Sequence, residues 1–508
     1  MSRINTNVQS LIAQRVLNQN NQALSLSLER LSTGLRINRG GDDPAGLIAS
    51  QNLRAEKAGL GAAIGNAERA EQVVNIAEGG LQEVSGLLTD LEGLITATAN
   101  TAGLSAEEKE ANQLQIDSIL QTIDRIADAT SFQGSKLLNG NFGFETTNVS
   151  ANVADFKING AKLEFGQTRD VDILVTQSAQ RAGFFVSVGG ALDLGSAGET
   201  FVIEVGGAKG SRELSFASGA ALADIVAAIN SFTDITGVSA ATSGGGFRVD
   251  STDFGTSESV SIKINDTGNI VSALGAGIIG LAATDTAAAS AATGVGFTAT
   301  GASNGLQDTG QDVGATINGV VATTKGTKAS ISTDFLSVEI DLTATAAQTP
   351  AALNALTISG GGADFQLASN VDIAGKVSIG LDNVAARNVG KVTDNGSTFT
   401  LADLAGGKAL NVENGDLANA QKVVSQAIKD VSSLRGRIGA FQKNTIGATI
   451  RSLGVALENT TAAESAIRDA DFAAETAGLT RNQILAQSAT NVLSIANAQP
   501  QNVLALLG

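Results

Sequence analysis

The 508-residue chain contains no Cys, no His, no Trp and no Tyr. Without Cys there is no disulfide and no thiolate nucleophile. Without His, Ser–His–Asp triads, Cys–His dyads and the usual Cys/His zinc sites cannot be built from this chain. Carboxylate chemistry and Ca²⁺ binding survive that exclusion. Three Pro against 59 Gly imply many turns and few rigid breaks. Positive charge is also scarce: 33 Lys and Arg against 50 Asp and Glu give a net charge of −17. That argues against a nucleic-acid partner, since phosphate binding needs clustered cations. No window reaches the ~18 uninterrupted apolar residues of a membrane span, and the start of the chain has no apolar core of a secretory signal. No cofactor and no catalytic residue is expected. The length predicts several domains.

What is present is a seven-residue beat near both ends. One register holds Leu60, Ala67, Val74, Leu81, Leu88 and Ile95; a second holds Ala63, Ala70, Ala77, Val84 and Leu91. Leu417, Val424, Val431 and Ile438 repeat the pattern, with Ala420, Ala427, Leu434 and Phe441 as partners. Such stripes let helices pack along their length. The cheapest way to bury two distant stripes is to pair them, so the termini come together and the middle is an excursion. The candidate seam is Val74, Leu81, Leu88 and Leu91 with Val424, Val431, Leu434, Ile438 and Phe441. Residues 1–36 read as a helix striped by Leu17, Leu24, Leu28, Leu31 and Leu35. Asp43 before Pro44 predicts a cap and the start of a second helix reaching about Asn100. A third spans Ala106–Ala129, and helical signal returns from about Asp416 to Glu458. The last helix, about Ala474–Gln499, carries Leu485, Val492 and Ile495. Pro500 is expected to end or kink it before an apolar tail containing Val503 and Leu506. Asp469 and Asp471 are expected to favour its positive end. These outermost stripes are narrow and have no third layer, so they need cover from further copies of the chain. A heterologous contact that does not close makes a filament.

After Ser131 the period changes to two. Val171–Thr176, Phe184–Val188, Phe201–Val205, Phe247–Asp250, Val260–Ile264 and Leu336–Leu342 read as half-buried strands, with one helix at Ala220–Phe232. Between Lys263 and Lys325 there is no basic residue, and that stretch reads as irregular β structure or a poorly ordered loop. Gly275-Ala-Gly277-Ile-Ile-Gly280 matches the dinucleotide fingerprint but lacks the following helix, and Asp285 comes too early, so a Gly-rich loop is expected.

Ile4-Asn-Thr-Asn7, Leu31-Ser-Thr-Gly-Leu-Arg-Ile37, Asp42-Asp-Pro-Ala-Gly46 and Phe132-Gln-Gly-Ser-Lys-Leu-Leu138 together resemble the N-terminal pattern of bacterial flagellin. Ala470-Asp-Phe-Ala473, Gln483-Ile-Leu485, Ala496-Asn497 and Pro500-Gln-Asn-Val-Leu504 resemble its C-terminal pattern. The resemblance covers about 140 residues at the start and 90 at the end. It implies an α+β multidomain fold: a helical coiled-coil stem built from both termini, with a β-rich, solvent-facing insertion. The inner, filament-core domain would be 1–42 with 469–508. The tube domain would be 43–185 with 362–468, and the insertion 186–361. Glu199–Ile264 also resembles a small repeat module of flagellin insertions. The implied function is a structural subunit that self-assembles into the flagellar filament for swimming. The implied partners are copies of itself, an export chaperone on the C-terminal helices, and the filament cap and hook-junction proteins. The implied location is extracellular, reached through the flagellar type III route without a cleaved signal. Many flagellins are sensed by an innate immune receptor through a basic helical patch. Here Asp90 stands where that pattern carries Arg and Gln115 where it carries Glu, while Leu94 is kept. Weak or absent sensing is expected, because like charges at a contact centre are costly.

Three rivals follow from the same residues. A hook–filament junction protein shares the paired termini but usually lacks the Pro500–Leu507 ending. A flagellin with a protease insertion needs His-Glu-x-x-His, impossible without His. An adhesin-like display role for the insertion is compatible with the flagellin reading.

Overall fold

The computed structural model describes residues 6–100, 103–164, 166–196, 198–270, 277–280, 294–394 and 397–507, the last eight by backbone alone. Ile4, Asn5, Gly275, Ala276 and Asp285 lie outside the described residues. The helices are α1 (Val8–Thr33), α2 (Pro44–Thr98), α3 (Ala106–Ala129), the short α4 (Leu222–Asn230), α5 (Thr233–Thr236), α6 (Thr300–Asn304) and α7 (Ala344–Gln348), then α8 (Leu417–Ala440), α9 (Gly447–Arg468) and α10 (Phe472–Leu507). From Ser131 to Phe399 antiparallel strands dominate, so the fold is α+β with helical ends. The chain forms two compact units, one of residues 1–79, 365–376 and 435–508, the other of 80–364 and 377–434.

In the first unit α1 packs against α10. The Asn7 side chain caps α1 by accepting from the Ser10 N–H at 3.0 Å. Gly34 ends it in the left-handed region (φ 73°), where a side chain would be strained. The chain then pairs with the segment before α10: Arg36 N–H donates to Arg468 O at 2.7 Å, and Ala470 N–H to Gly34 O at 2.9 Å. The Asp-Asp-Pro-Ala-Gly motif follows. Asp42 accepts from the Asn38 and Arg39 amides at 3.0 and 2.8 Å. Asp43 caps α2 through the Gly46 amide at 2.9 Å. A Cβ on Gly46 would collide with the Asp43 carboxylate and with buried Ile37. Asp471 likewise caps α10 by accepting from Ala473 and Ala474. Asp469 does not; it accepts from the Ser465 hydroxyl at 2.6 Å.

Two helix ends differ from the sequence reading. The α10 backbone runs through Pro500 to Leu507. Proline removes one N–H from the ladder, and the surrounding Ala, Gln and Leu residues favour helix, so the loss stays local. The penultimate helix runs past Glu458 to Arg468, joined to α8 by a π-helical turn at Phe441–Ile446.

The second unit holds α3 and the strands. A capping box of Ser105 and Glu108 starts α3, which buries Ile116, Leu120, Ile123 and Ala127. Ser131–Phe132 and Ser135–Lys136 form a hairpin through Gln133 and Gly134, both at positive φ. All six strands expected from sequence are present. Among the described residues the strands form two separate cores. Arg169–Gln177 lies between Gly314–Ile317 and Ala352–Gly361, while Leu336–Leu342 lies between Lys328–Ser332 and Val153–Ala161. They bury Val171, Ile173, Val175, Ile317, Val338 and Ile340. The other core buries Phe201, Ile203, Ile225, Phe247 and Ile262, all between residues 182 and 306. Within it Gly277–Gly280 is a strand paired with Gly183–Ser187, not the Gly-rich loop expected. Two chain crossings link the cores. There Gln180 and Gln311 exchange backbone hydrogen bonds at 2.8 and 3.0 Å.

Candidate assembly surface

The seam between α1 and α10 is made of small and polar residues. Ala13, Asn20 and Ser27 recur every seven residues on α1, as do Asn482, Ala489 and Ala496 on α10. Ala13, Ser27, Ala489 and Ala496 are buried. Asn482 Nδ2 donates to Ser27 Oγ at 3.2 Å, Asn20 Nδ2 to Leu485 O at 3.2 Å, and Asn7 Nδ2 to Ala496 O at 2.7 Å. Ser10 Oγ donates to Asn497 Oδ1 at 2.7 Å. Arg30 meets Glu475 at 3.8 Å at one end of the pair. A pattern of large apolar residues does not reveal this seam; its signal in the sequence is a heptad of Ala, Asn and Ser.

The large residues face elsewhere. Leu11 is 59% exposed, Leu28 50%, Ile484 61%, Val492 55% and Ile495 66%. Val8, Ile12, Val16 and Leu485 are exposed as well. Leu17, Leu24, Leu31 and Leu35 are half-buried. The side chains of Val503 and Leu506 lie outside the described residues. The candidate interface therefore separates into half-buried leucines beside the seam and a set of outward residues on both helices. Large exposed apolar patches mark interaction sites, and these outward residues are the candidates for one.

The second stripe behaves differently. Val74, Leu81, Leu88, Leu91, Val424, Val431, Leu434 and Ile438 are all buried within the chain. Phe441 is half-buried at the start of the π-turn, 6.2 Å from the Phe365 ring. This is internal packing, and it leaves α1 and α10 as the incomplete pair. Asp90 and Gln115 are exposed, and Leu94 is half-buried. Among the described residues no group of three or more Asp or Glu has the arrangement of a metal site, and no helix is long and apolar enough to cross a membrane.

Known proteins give the same two ends. The family model for the bacterial flagellin N-terminal helical region matches residues 4–143, and that for the C-terminal helical region matches 421–507. A flagellin hook IN motif matches 200–253, the segment from Thr200 to α5 and the two strands after it. A flagellin of Salmonella rubislaw is 30% identical over 99% of both chains, and one of Salmonella typhimurium is 31% identical over 99% of both. Among solved structures, FliC from Burkholderia pseudomallei aligns at 15% identity over 74% of this chain and 99% of its own, with a TM-score of 0.24, too low to bear on the fold. With end-to-end relatives at this identity and both terminal helical regions matched, the chain belongs to the bacterial flagellin family, the structural subunits of the flagellar filament.

Proposed function

We propose that copies of this chain polymerise by covering the outward residues of α1 and α10. The observation that carries this is the inversion of that helix pair: Ala, Ser and Asn inside, Leu, Ile and Val outside. A solitary pair built this way buries little apolar area. It gains much more when neighbours cover residues such as Leu28, Ile484 and Ile495, at roughly 25 cal/mol per Å² of apolar surface. Leu17, Leu24, Leu31, Leu35, Leu485, Val492, Val503 and Leu506 complete the interface. Residues 1–42 and 469–508 form the filament core, 43–185 and 362–468 the surrounding tube, and 186–361 the solvent-facing insertion. Val74, Leu81, Leu88, Leu91, Val424, Val431, Leu434, Ile438 and Phe441 hold the tube together within each copy.

The role is structural and the chain catalyses no reaction. It leaves the cell through the flagellar export apparatus, its C-terminal helices held by a chaperone whose contact is the same outward face. The filament cap and hook-junction proteins are its remaining partners. The reversed charge at Asp90 and the neutral Gln115 leave innate sensing weak, although Leu94 is kept. The test of the interface is Ile484→Asp alone and Leu28→Asp alone. Both side chains are exposed in the monomer, so helix content by circular dichroism should be unchanged. Sedimentable polymer should be lost, because a buried unpaired charge costs several kcal/mol. Normal filaments from both variants would place the interface elsewhere.

A further inference from the structure

The π-turn at Phe441–Ile446 marks a break in the seam's phase. Before it, buried residues fall at Val424, Val431 and Ile438. Continuing in steps of seven would bury Thr445, Ser452, Asn459 and Ala466. Instead Ile446 and Thr460 are buried, and Leu453 and Ile467 are half-buried. The seven-residue beat resumes one position late. A π-turn holds one residue more than an α-turn, and here the Gly447 N–H donates to Gln442 O, five residues back. The turn therefore absorbs a single surplus residue and keeps Ile446, Leu453 and Ile467 on the packed face. Without it, α9 would rotate by about 100° and present Thr, Ser and Asn to the same surface.

The surroundings are compliant. Gly436, Gly439 and Gly454 flank the turn, and a Cβ on any of them would meet nothing within 4 Å. They are not needed for close packing, and in a helix their effect is to lower rigidity. Lys443 and Asn444 within the turn are exposed, Gln442 Nε2 donates to Asn75 Oδ1 at 2.8 Å, and Ile446 anchors the far end of the turn in the packed face. We propose that residues 441–446 are a compliant joint in the terminal stem, storing one surplus residue that sets the phase of α9 and giving the stem its point of least local stability. Beyond the joint, that phase brings Glu464 to Arg54 and Lys57 at 3.6 and 3.5 Å.

Hydrogen exchange on the full-length chain tests the joint directly. Amides of 442–447 should exchange at least 10-fold faster than those of 424–438 and 450–460. Equal rates would overturn the proposal. Deleting Asn444 removes the surplus. It should restore a continuous α-helix, slow exchange across the joint at least 10-fold, and preserve zero-length carbodiimide crosslinking of Lys57 to Glu464. Loss of that crosslink, or of the fold, would show that the turn does not store a surplus residue. The triple change Gly436→Ala, Gly439→Ala and Gly454→Ala leaves the residue count intact. It should slow exchange at the joint while retaining the crosslink, and an unchanged rate would rule out the glycines as the source of compliance.

Discussion

Asp312 ties together three segments where the chain crosses between the two strand cores of the second unit. Its carboxylate accepts from the Thr256 hydroxyl and the Gly326 amide at 2.6 Å each, and from the Thr256 amide at 3.1 Å. Desolvation pushes this acid up. The hydrogen bonds from Thr256 and Gly326, with the charge of Lys325, outweigh it and hold the carboxyl below its ordinary value. A depressed folded value means the group stabilises the fold above its unfolded value of about 3.9, and that contribution disappears as pH falls through the lower folded value. Asp312→Asn should therefore melt earlier than wild type at pH 7, and the two should converge once the pH has fallen below the lowered folded value. Thermal melts followed across that range check it; a constant gap at all pH would show that the charge is irrelevant. Such a tie is illegible in sequence, because its partners lie 56 and 14 positions away. Gln113 is another case. It is buried on α3, donates to Leu404 O at 2.9 Å and accepts from the Val412 amide at 2.8 Å, almost 300 residues along the chain. The caps at Asp43 and Asp471 were readable because a cap and its amides are neighbours in sequence.

At the scale of elements, helices were easier to read than strands for the same reason. A helix satisfies its backbone locally, so a heptad from Leu60 to Ile95 is sufficient evidence for α2. A strand can be recognised by alternation, but its partner cannot. Nothing in Arg169–Gln177 says that it pairs with residues near 315 and 355. The helix features that hydrophobic periodicity does not show are those where small residues do the packing or a single residue shifts the phase. The glycines of α2 extend this. Gly65, Gly79, Gly86 and Gly93 share one heptad position on the face opposite the seam, and a Cβ on any of them would meet nothing within 4 Å. Inside the monomer they only weaken the helix, by about 0.5–1 kcal/mol each relative to Ala. The triple variant Gly79→Ala, Gly86→Ala, Gly93→Ala should raise the thermal midpoint of the monomer by several degrees. A lower midpoint would mean that the chain itself needs the missing side chains. A higher midpoint with loss of polymer would mean that another copy lies against this face.

For the whole molecule, charge and core organisation set which parts can be changed. The first unit has 15 basic and 13 acidic side chains, a net +2; the second has 18 and 37, a net −19. The part proposed to pack in the filament core is nearly neutral, and the excess negative charge is carried by the unit containing the β-rich insertion. The removable portion is set by the cores rather than by composition. Excising 190–355 would take Ile317, Val338 and Ile340 out of the core that also needs Ile173 and Val175, and should yield an aggregating chain. Excising 181–310 and closing Gln180 to Gln311 with an Asn-Gly turn removes Phe254 from the edge of that core but keeps all its buried residues, and those two glutamines already face each other across an antiparallel bridge. This shortened chain should express as a soluble protein and polymerise. It also isolates the electrostatic term. Residues 181–310 carry 12 acidic and 5 basic side chains, a net −7 of the −19. Repulsion between neighbouring copies is long-ranged at ~10 mM salt, where the Debye length is about 30 Å, and falls steeply by ~150 mM, where it is about 8 Å. The critical concentration for wild-type polymerisation, read by sedimentation, should fall across that range. The shortened chain should polymerise at lower concentration in ~10 mM salt and show a weaker salt dependence, but not none, since a net −12 remains in the rest of the unit. Identical salt curves for the two chains would show that the acidic lobe is too far from its neighbours to matter, and that polymer stability is governed by the outward faces of α1 and α10 alone.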